Sequence, residues 1–101
     1  DVAYKSRAQR AYEWAMKHPE DRVLLMDAVN KSEWAYKWAL QYPEDRIFMI
    51  DRVTESRWAY EWAANIGNLD TMHRRVTENL WMIRWNTIFP NYLITDLWHA
   101  Y

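Results

Sequence analysis

Three histidines, a recurring acid pair and a set of arginines spaced among tryptophans are the side chains of this chain that could do chemistry. His18, His73 and His99 are the only histidines, and no two of them stand four residues apart. That spacing puts two imidazoles on one helix face for a metal, and no cysteine is present to complete a ligand set. His18 precedes a Pro-Glu-Asp-Arg block just as Tyr42 does, which points to packing rather than ligation. His73 is followed by Arg74 and Arg75, poor company for a cation. Glu20-Asp21 returns as Glu44-Asp45, but neighbouring residues do not face each other on a helix, so the pair does not read as an acid–base dyad. Asp27 and Asp51 also recur; two carboxylates are too few for Ca²⁺, and pairing with a nearby arginine is the expectation. There is no glycine-rich phosphate loop and no Gly-x-Ser-x-Gly turn. The sequence therefore predicts no catalytic, cofactor-binding or metal-binding residue, and a protein that is not an enzyme.

Arg52, Arg57, Arg74, Arg75 and Arg84 interleave with Trp58, Trp81 and Trp85. Aromatic and arginine platforms can hold single-stranded nucleic acid. Against that, the formal net charge is −1, and these tryptophans fall on an apolar stripe. Eight Trp and seven Tyr are more than so small a core is expected to hide, and Trp, Tyr and Arg dominate protein interfaces. Tyr12, Tyr36 and Tyr60, in register at the stripe's edge, together with Arg57 and Arg84, are the expected partner contacts.

The elements that must position these residues are repeats. Ala11-Tyr12-Glu13-Trp14-Ala15 returns as Ala35-Tyr36-Lys37-Trp38-Ala39 and as Ala59-Tyr60-Glu61-Trp62-Ala63, at a spacing of 24 each time. Pro19-Glu20-Asp21-Arg22 returns as Pro43-Glu44-Asp45-Arg46, and aligning 11–34 with 35–58 gives 12 identities. The third unit is one residue shorter: Arg52-Val53-Thr54-Glu55 matches Arg75-Val76-Thr77-Glu78 at a spacing of 23, with the deletion inside Ile66-Gly67-Asn68-Leu69-Asp70. Units run approximately 6–29, 30–53, 54–76 and 77–101 within a single helical-repeat domain. Residues 1–5 align with the tail of a preceding unit, so the chain reads as cut from a longer array.

Each unit reads as two short helices. Ser6, Asn30, Thr54 and Thr77 hold equivalent N-cap positions, and Gln9 and Glu33 complete capping boxes with the first two. The Pro blocks start a second helix, whose positive end Glu20, Asp21, Glu44 and Asp45 suit. In the first helix of a unit, Trp34, Trp38 and Tyr42 form one edge of an apolar stripe, Ala35 and Ala39 its middle, and Tyr36 and Leu40 the far edge. The second helix is expected to bury Val23, Leu24, Met26 and Val29, then Ile47, Met49, Ile50 and Val53. The last, Pro90 to Tyr101, reads as a capping helix with Leu93, Leu97, Trp98 and Tyr101 in a stripe. One bent helix per unit is the rival reading, and the caps argue against it. The expected fold is all-α, a short α-solenoid of tandem helix-turn-helix repeats with about eight short helices, stabilised by stacking because such short helices are marginal alone.

The blocks Trp58-Ala59-Tyr60-Glu61-Trp62-Ala63 and Arg52-Val53-Thr54-Glu55-Ser56 resemble short tandem helical repeats of uncharacterised phage and bacterial proteins. The resemblance spans most of the chain, rests on structural motifs, and implies no activity. No apolar run approaches the roughly 20 residues of a membrane span. A small secreted domain would often carry disulfides, so a soluble cytoplasmic protein is the expectation, with the compartment itself left open. The expected function is a non-catalytic protein-binding or assembly module, binding another protein or itself. Alternatives are a phage-derived structural component or occluding inhibitor, and single-strand binding.

Overall fold

The computed structural model describes residues 5–95, and every regular element among them is helical. The chain divides after Val53 into two compact units, which is the boundary between the second and third repeats. In the first unit, α1 (Arg7–Lys17) is followed by a 3₁₀ turn (Pro19–Asp21), α2 (Arg22–Leu25) and a second 3₁₀ turn (Met26–Ala28). The same order returns as α3 (Ser32–Gln41), Pro43–Asp45, α4 (Arg46–Met49) and Ile50–Arg52. The second unit holds α5 (Ser56–Asn65), α6 (Leu69–His73) and α7 (Asn79–Ile88). Each of the first three repeats is thus a long helix and a short one rather than one bent helix. Breaks fall at His18 and Tyr42, and non-helical residues 29–31 separate the first short segment from α3.

The second element of each repeat in the first unit is a composite, α-helical for one turn and 3₁₀ at both ends, which we call a proline segment. Proline fixes the first turn, and Asp21 and Asp45 close it with i→i+3 bonds to His18 and Tyr42, 3.0 Å each. The cores are built from small residues on the long helices and a few large ones across from them. Ala8, Ala11, Ala15, Ala35, Ala39, Ala59 and Ala63 are buried, as are Val29, Val53, Val76, Met49 and Met72. Alanine at these positions lets a neighbouring helix approach closely. The expectation that Val23, Leu24 and Ile47 are core residues is overturned: all three face solvent. Within the two segments only Asp45 and Met49 are buried, and Val29 and Val53, also buried, follow directly after them.

Capping also differs from the sequence reading. Ser6 caps α1 as expected, its Oγ accepting from Gln9 N–H at 3.0 Å. The caps of α3, α5 and α7 are Lys31, Glu55 and Glu78, one residue after Asn30, Thr54 and Thr77, and none of these three uses its own side chain. The acceptor for α7 comes from another helix. Buried Ser56 of α5 accepts from the backbone N–H of Thr77 at 2.9 Å and of Glu78 at 3.0 Å. The first N–H groups of a helix lack intrahelical partners, so a buried hydroxyl facing them replaces a local cap.

Candidate functional site

One tryptophan in each repeat is tied to the segment that follows it. Trp14 Nε1 donates to Asp21 at 3.0 Å, Trp38 Nε1 to Asp45 at 2.9 Å, Trp62 Nε1 to Asn68 at 2.9 Å, and Trp85 Nε1 to the Tyr92 carbonyl at 2.7 Å. The Pro-Glu-Asp-Arg block is therefore more than a helix start: its aspartate satisfies an indole N–H. Trp38, Trp62 and Trp85 have no exposed surface, whereas Trp14 is 51% exposed and stacked on His18 at 4.3 Å. In the third repeat the deletion shortens the reach by one residue. Gly67 (φ 125°) and Asn68 (φ 58°) turn the chain with positive φ, which glycine and asparagine tolerate, and Asn68 supplies the acceptor.

The predicted contact residues fall into this frame in different ways. Tyr12 packs on Trp34 with centroids 5.4 Å apart and planes at 44°, and Tyr60 packs on Trp81 at 5.4 Å and 45°. Matching positions in the two units thus have one environment. Both tyrosines are half-buried. Tyr36 is 6% exposed, which removes it as a surface contact. Arg57 lies over Trp58 at 4.6 Å and Arg84 over Trp81 at 4.8 Å, and Lys37 covers Trp34 at 4.3 Å. These cations roof half-buried indoles, so each is already engaged at a ring face. Asp27 faces Arg52 at 3.9 Å, a loose pair with Asp27 almost fully exposed.

The expected capping helix from Pro90 is not helical over residues 90–95; Leu97, Trp98 and Tyr101 lie outside the described residues. Its backbone is held by side chains instead. Asn86 accepts from Ile94 N–H at 2.7 Å and donates to the Ile94 carbonyl at 3.1 Å, and His73 donates to the Leu93 carbonyl at 2.9 Å. A backbone whose N–H and C=O groups are taken this way cannot also close helical turns.

The surface that sequence reasoning missed lies on the proline segments. Val23, Leu24, Ile47 and Phe48 are 64%, 81%, 73% and 56% exposed. Glu20, Val23, Leu24 and Asp27 follow the i, i+3, i+4, i+7 rule of one helix face, and Glu44, Ile47, Phe48 and Asp51 repeat it in the next unit. Glu20 lies 3.7 Å from His18, Asp27 is loosely paired with Arg52 and Glu44 meets Arg22, and the apolar four are the most conspicuous of these exposed side chains. The two segments lie side by side and parallel. Arg22, at the start of the first, meets Glu44 at the start of the second at 3.0 Å. Arg52, at the end of the second, donates to the carbonyls of Met26 and of Val29 (3.2 Å for the latter) at the end of the first. The four apolar residues therefore share one side of two adjacent helical turns. The recurrence at one spacing was the available signal, but an apolar residue in a helix-like pattern is more often core. Next to Leu24, a shallow cleft of about 440 Å³ is lined by Arg7, Arg10, Ala11, Trp14 and Leu25 among others.

Among the described residues no helix is long and apolar enough to cross a membrane, and no group of three or more His, Asp or Glu is placed to hold a metal ion. Compared with protein families, curated proteins and solved structures, the chain matches none.

Proposed function

We propose that this protein is a non-catalytic protein-binding module of tandem helix pairs, which engages its partner through the exposed face of the two proline segments. The observation that carries this reading is the set Val23, Leu24, Ile47 and Phe48, large apolar side chains left in water at matching positions of adjacent repeats. Contiguous exposed apolar surface rimmed by polar residues is the mark of an interaction site. The likeness of the Tyr12–Trp34 and Tyr60–Trp81 pairs supports a solenoid as the architecture, and small-angle scattering tests that shape. Kinship with phage and bacterial repeats belongs to the same proposal. Single-strand binding finds less support, because Arg57 and Arg84 occupy the indole faces on which bases would stack.

The test is affinity capture from a host lysate by the wild type and by Leu24→Ser/Phe48→Ser, both checked for equal helicity by circular dichroism. We expect a defined protein set that survives added salt and is lost with the double variant. Equal capture by both would refute the assigned surface, and capture of nucleic acid that falls steeply with salt would replace the reading.

A further inference from the structure

We infer that the cleft beside Leu24 anchors the partner through carboxylates, taking an acidic peptide segment that also carries a bulky apolar side chain. This rests on the protein-binding reading above and adds the chemistry of the segment that runs past the apolar face. The cleft, about 440 Å³, is lined by Arg7, Arg10 and Trp14 of α1, by Leu24 and Leu25 of α2, and by Asp27 after them. Arg7, Arg10 and Trp14 follow one another at three and four residues and so share one side of α1. The backbone positions of the two arginines are roughly 4.5 Å apart along the helix axis.

Among the described residues no hydrogen bond, ion pair or ring contact engages the guanidinium of Arg7 or of Arg10. The acids nearby are already committed. Asp27 is loosely paired with Arg52 at 3.9 Å, and Asp21 accepts the Trp14 indole N–H at 3.0 Å. Glu13, beside Trp14 in a second shallow cleft, takes the Lys5 ammonium at 2.7 Å. The uncommitted charge at the cleft is therefore positive.

The same positions one repeat later show how this surface is covered inside the fold. Twenty-four residues after Arg10, His18 and Ala28 stand Trp34, Tyr42 and Arg52. Trp34 packs on Tyr12, Tyr42 donates to the Ala15 carbonyl at 3.1 Å, and Arg52 donates to the carbonyls of Met26 and Val29. Trp38, the counterpart of Trp14, is fully buried. In the first repeat a guanidinium replaces the indole, an imidazole the phenol, and a methyl group the arginine. That exchange removes the side chains that grip another repeat of this kind, and it leaves Trp14 half in water beside two unengaged arginines.

An arginine fork matches a carboxylate through two parallel hydrogen bonds. Trp14, Leu24 and Leu25 offer the neighbouring apolar side chain a surface to cover. The volume lies within the roughly 300–1,000 Å³ of ligand sites, and the shallow cleft continues at Leu24 into the apolar face, which suits a passing chain better than an enclosed molecule. A single nucleic-acid strand would also seek the arginines. One face of the Trp14 ring is taken by His18, however, and Asp21 and Asp27 flank it, so a run of phosphates meets like charge that spaced carboxylates avoid.

The test uses three synthetic peptides of about ten residues, at most roughly 36 Å when extended, blocked at both ends, with one leucine pair and flanks of Glu, Gln or Lys. Binding to the full chain is read by fluorescence anisotropy at low salt. The Leu/Glu peptide is expected to bind about fivefold or more tighter than Leu/Gln, with Leu/Lys weakest, as two exposed ion pairs allow. Arg7→Gln/Arg10→Gln, checked for unchanged helicity, should erase the Glu preference while leaving Leu/Gln affinity as it was, and Leu24→Ser should weaken all three. Asp27→Asn removes like charge from the lining and should strengthen Leu/Glu binding; a weaker complex would refute the anionic anchor. Equal affinity for the three peptides, a Glu preference untouched by the arginine double variant, or no binding of any peptide would overturn it too. Lysate partners lost in Leu24→Ser/Phe48→Ser would in each of those cases keep the apolar face, so the two readings fail separately. An oligothymidylate of about ten nucleotides that binds tighter than Leu/Glu through the same arginines would assign the cleft to phosphate and refute the inference. Self-association in sedimentation that Arg7→Gln/Arg10→Gln abolishes would assign it to a second copy, with the same result.

Discussion

Asp45→Ala, set beside Asp21→Ala, tests whether the tryptophan tie stabilises the fold or merely decorates it. Both aspartates accept from an indole Nε1 seven residues earlier, at 2.9 and 3.0 Å. The environments differ. Asp45 is 3% exposed and its partner Trp38 has no exposed surface, whereas Trp14 is half in water. Removing Asp45 strands a buried donor, which costs about 1–3 kcal/mol. It also deletes the Arg22 contact at 3.1 Å, worth up to about 1 kcal/mol after discounting for the partial exposure of Arg22. The sum is about 1–4 kcal/mol, a large share of the roughly 5–15 kcal/mol typical of a domain. Removing Asp21 lets water replace the acceptor, so at most about 1 kcal/mol is lost. Urea denaturation followed by circular dichroism reads both. Equal losses of stability in the two variants, or a silent Asp45→Ala, would refute the difference in burial as the cause. Asp45→Asn, which keeps an acceptor, should recover most of the loss; no recovery would mean that charge rather than the hydrogen bond matters.

The cross-helix cap and the titrating groups give two further outcomes. Ser56→Ala leaves the N–H groups of Thr77 and Glu78 without their acceptor and should cost about 1–3 kcal/mol in thermal unfolding, while Ser56→Thr, which keeps the hydroxyl, restores part of it. The pH profile of stability should be a plateau. Glu44, held down by its own backbone N–H and by Arg22, and Glu13, held down by its bonds from Lys5 and Gln9, have folded pKa values below the usual 4.5. A lowered pKa gives stability that is complete above 4.5 and is lost as pH falls through the folded value. Tyr42 is raised above 10 by burial, so its share is complete below 10 and is lost as pH rises further. Unfolding midpoints measured from acid to alkaline pH should fall at both ends, and Glu44→Gln and Tyr42→Phe should each flatten one limb.

The repeats, the helix pairs and the alanine-centred stripes were legible because they follow from spacing alone. A constant interval between matching blocks fixes which positions are equivalent, and i, i+3, i+4 spacing fixes which share a face. The role of Asp45 was not, since an aspartate after proline suits a helix start on its own terms. Only the fold brings it back onto Trp38. Ser56 escaped for the same reason: the sequence places the cap of its helix at Thr54, and only the fold brings the Ser56 hydroxyl to the start of α7, two helices further along the chain.

The missed surface has the most general cause. Val23, Leu24 and Ile47 read as core from the sequence, and Phe48 beside them is as apolar. What excludes them is geometry: the proline segment holds one α-helical turn between two 3₁₀ turns, so it can turn only one side inward. That side is taken by buried Asp45 and Met49 and by the arginines that brace neighbouring segments. A repeat that needed only stability could place polar residues outside, and the third repeat does so with Asp70 and Thr71. Aliphatic and aromatic side chains kept in water at the same two positions of adjacent repeats contribute little burial to the fold. Covering each one in the proposed interface would contribute at most about 1.5–3 kcal/mol, the figure for burying a fully exposed side chain, so the residues that folding leaves uncovered are those on which the proposed partner would act.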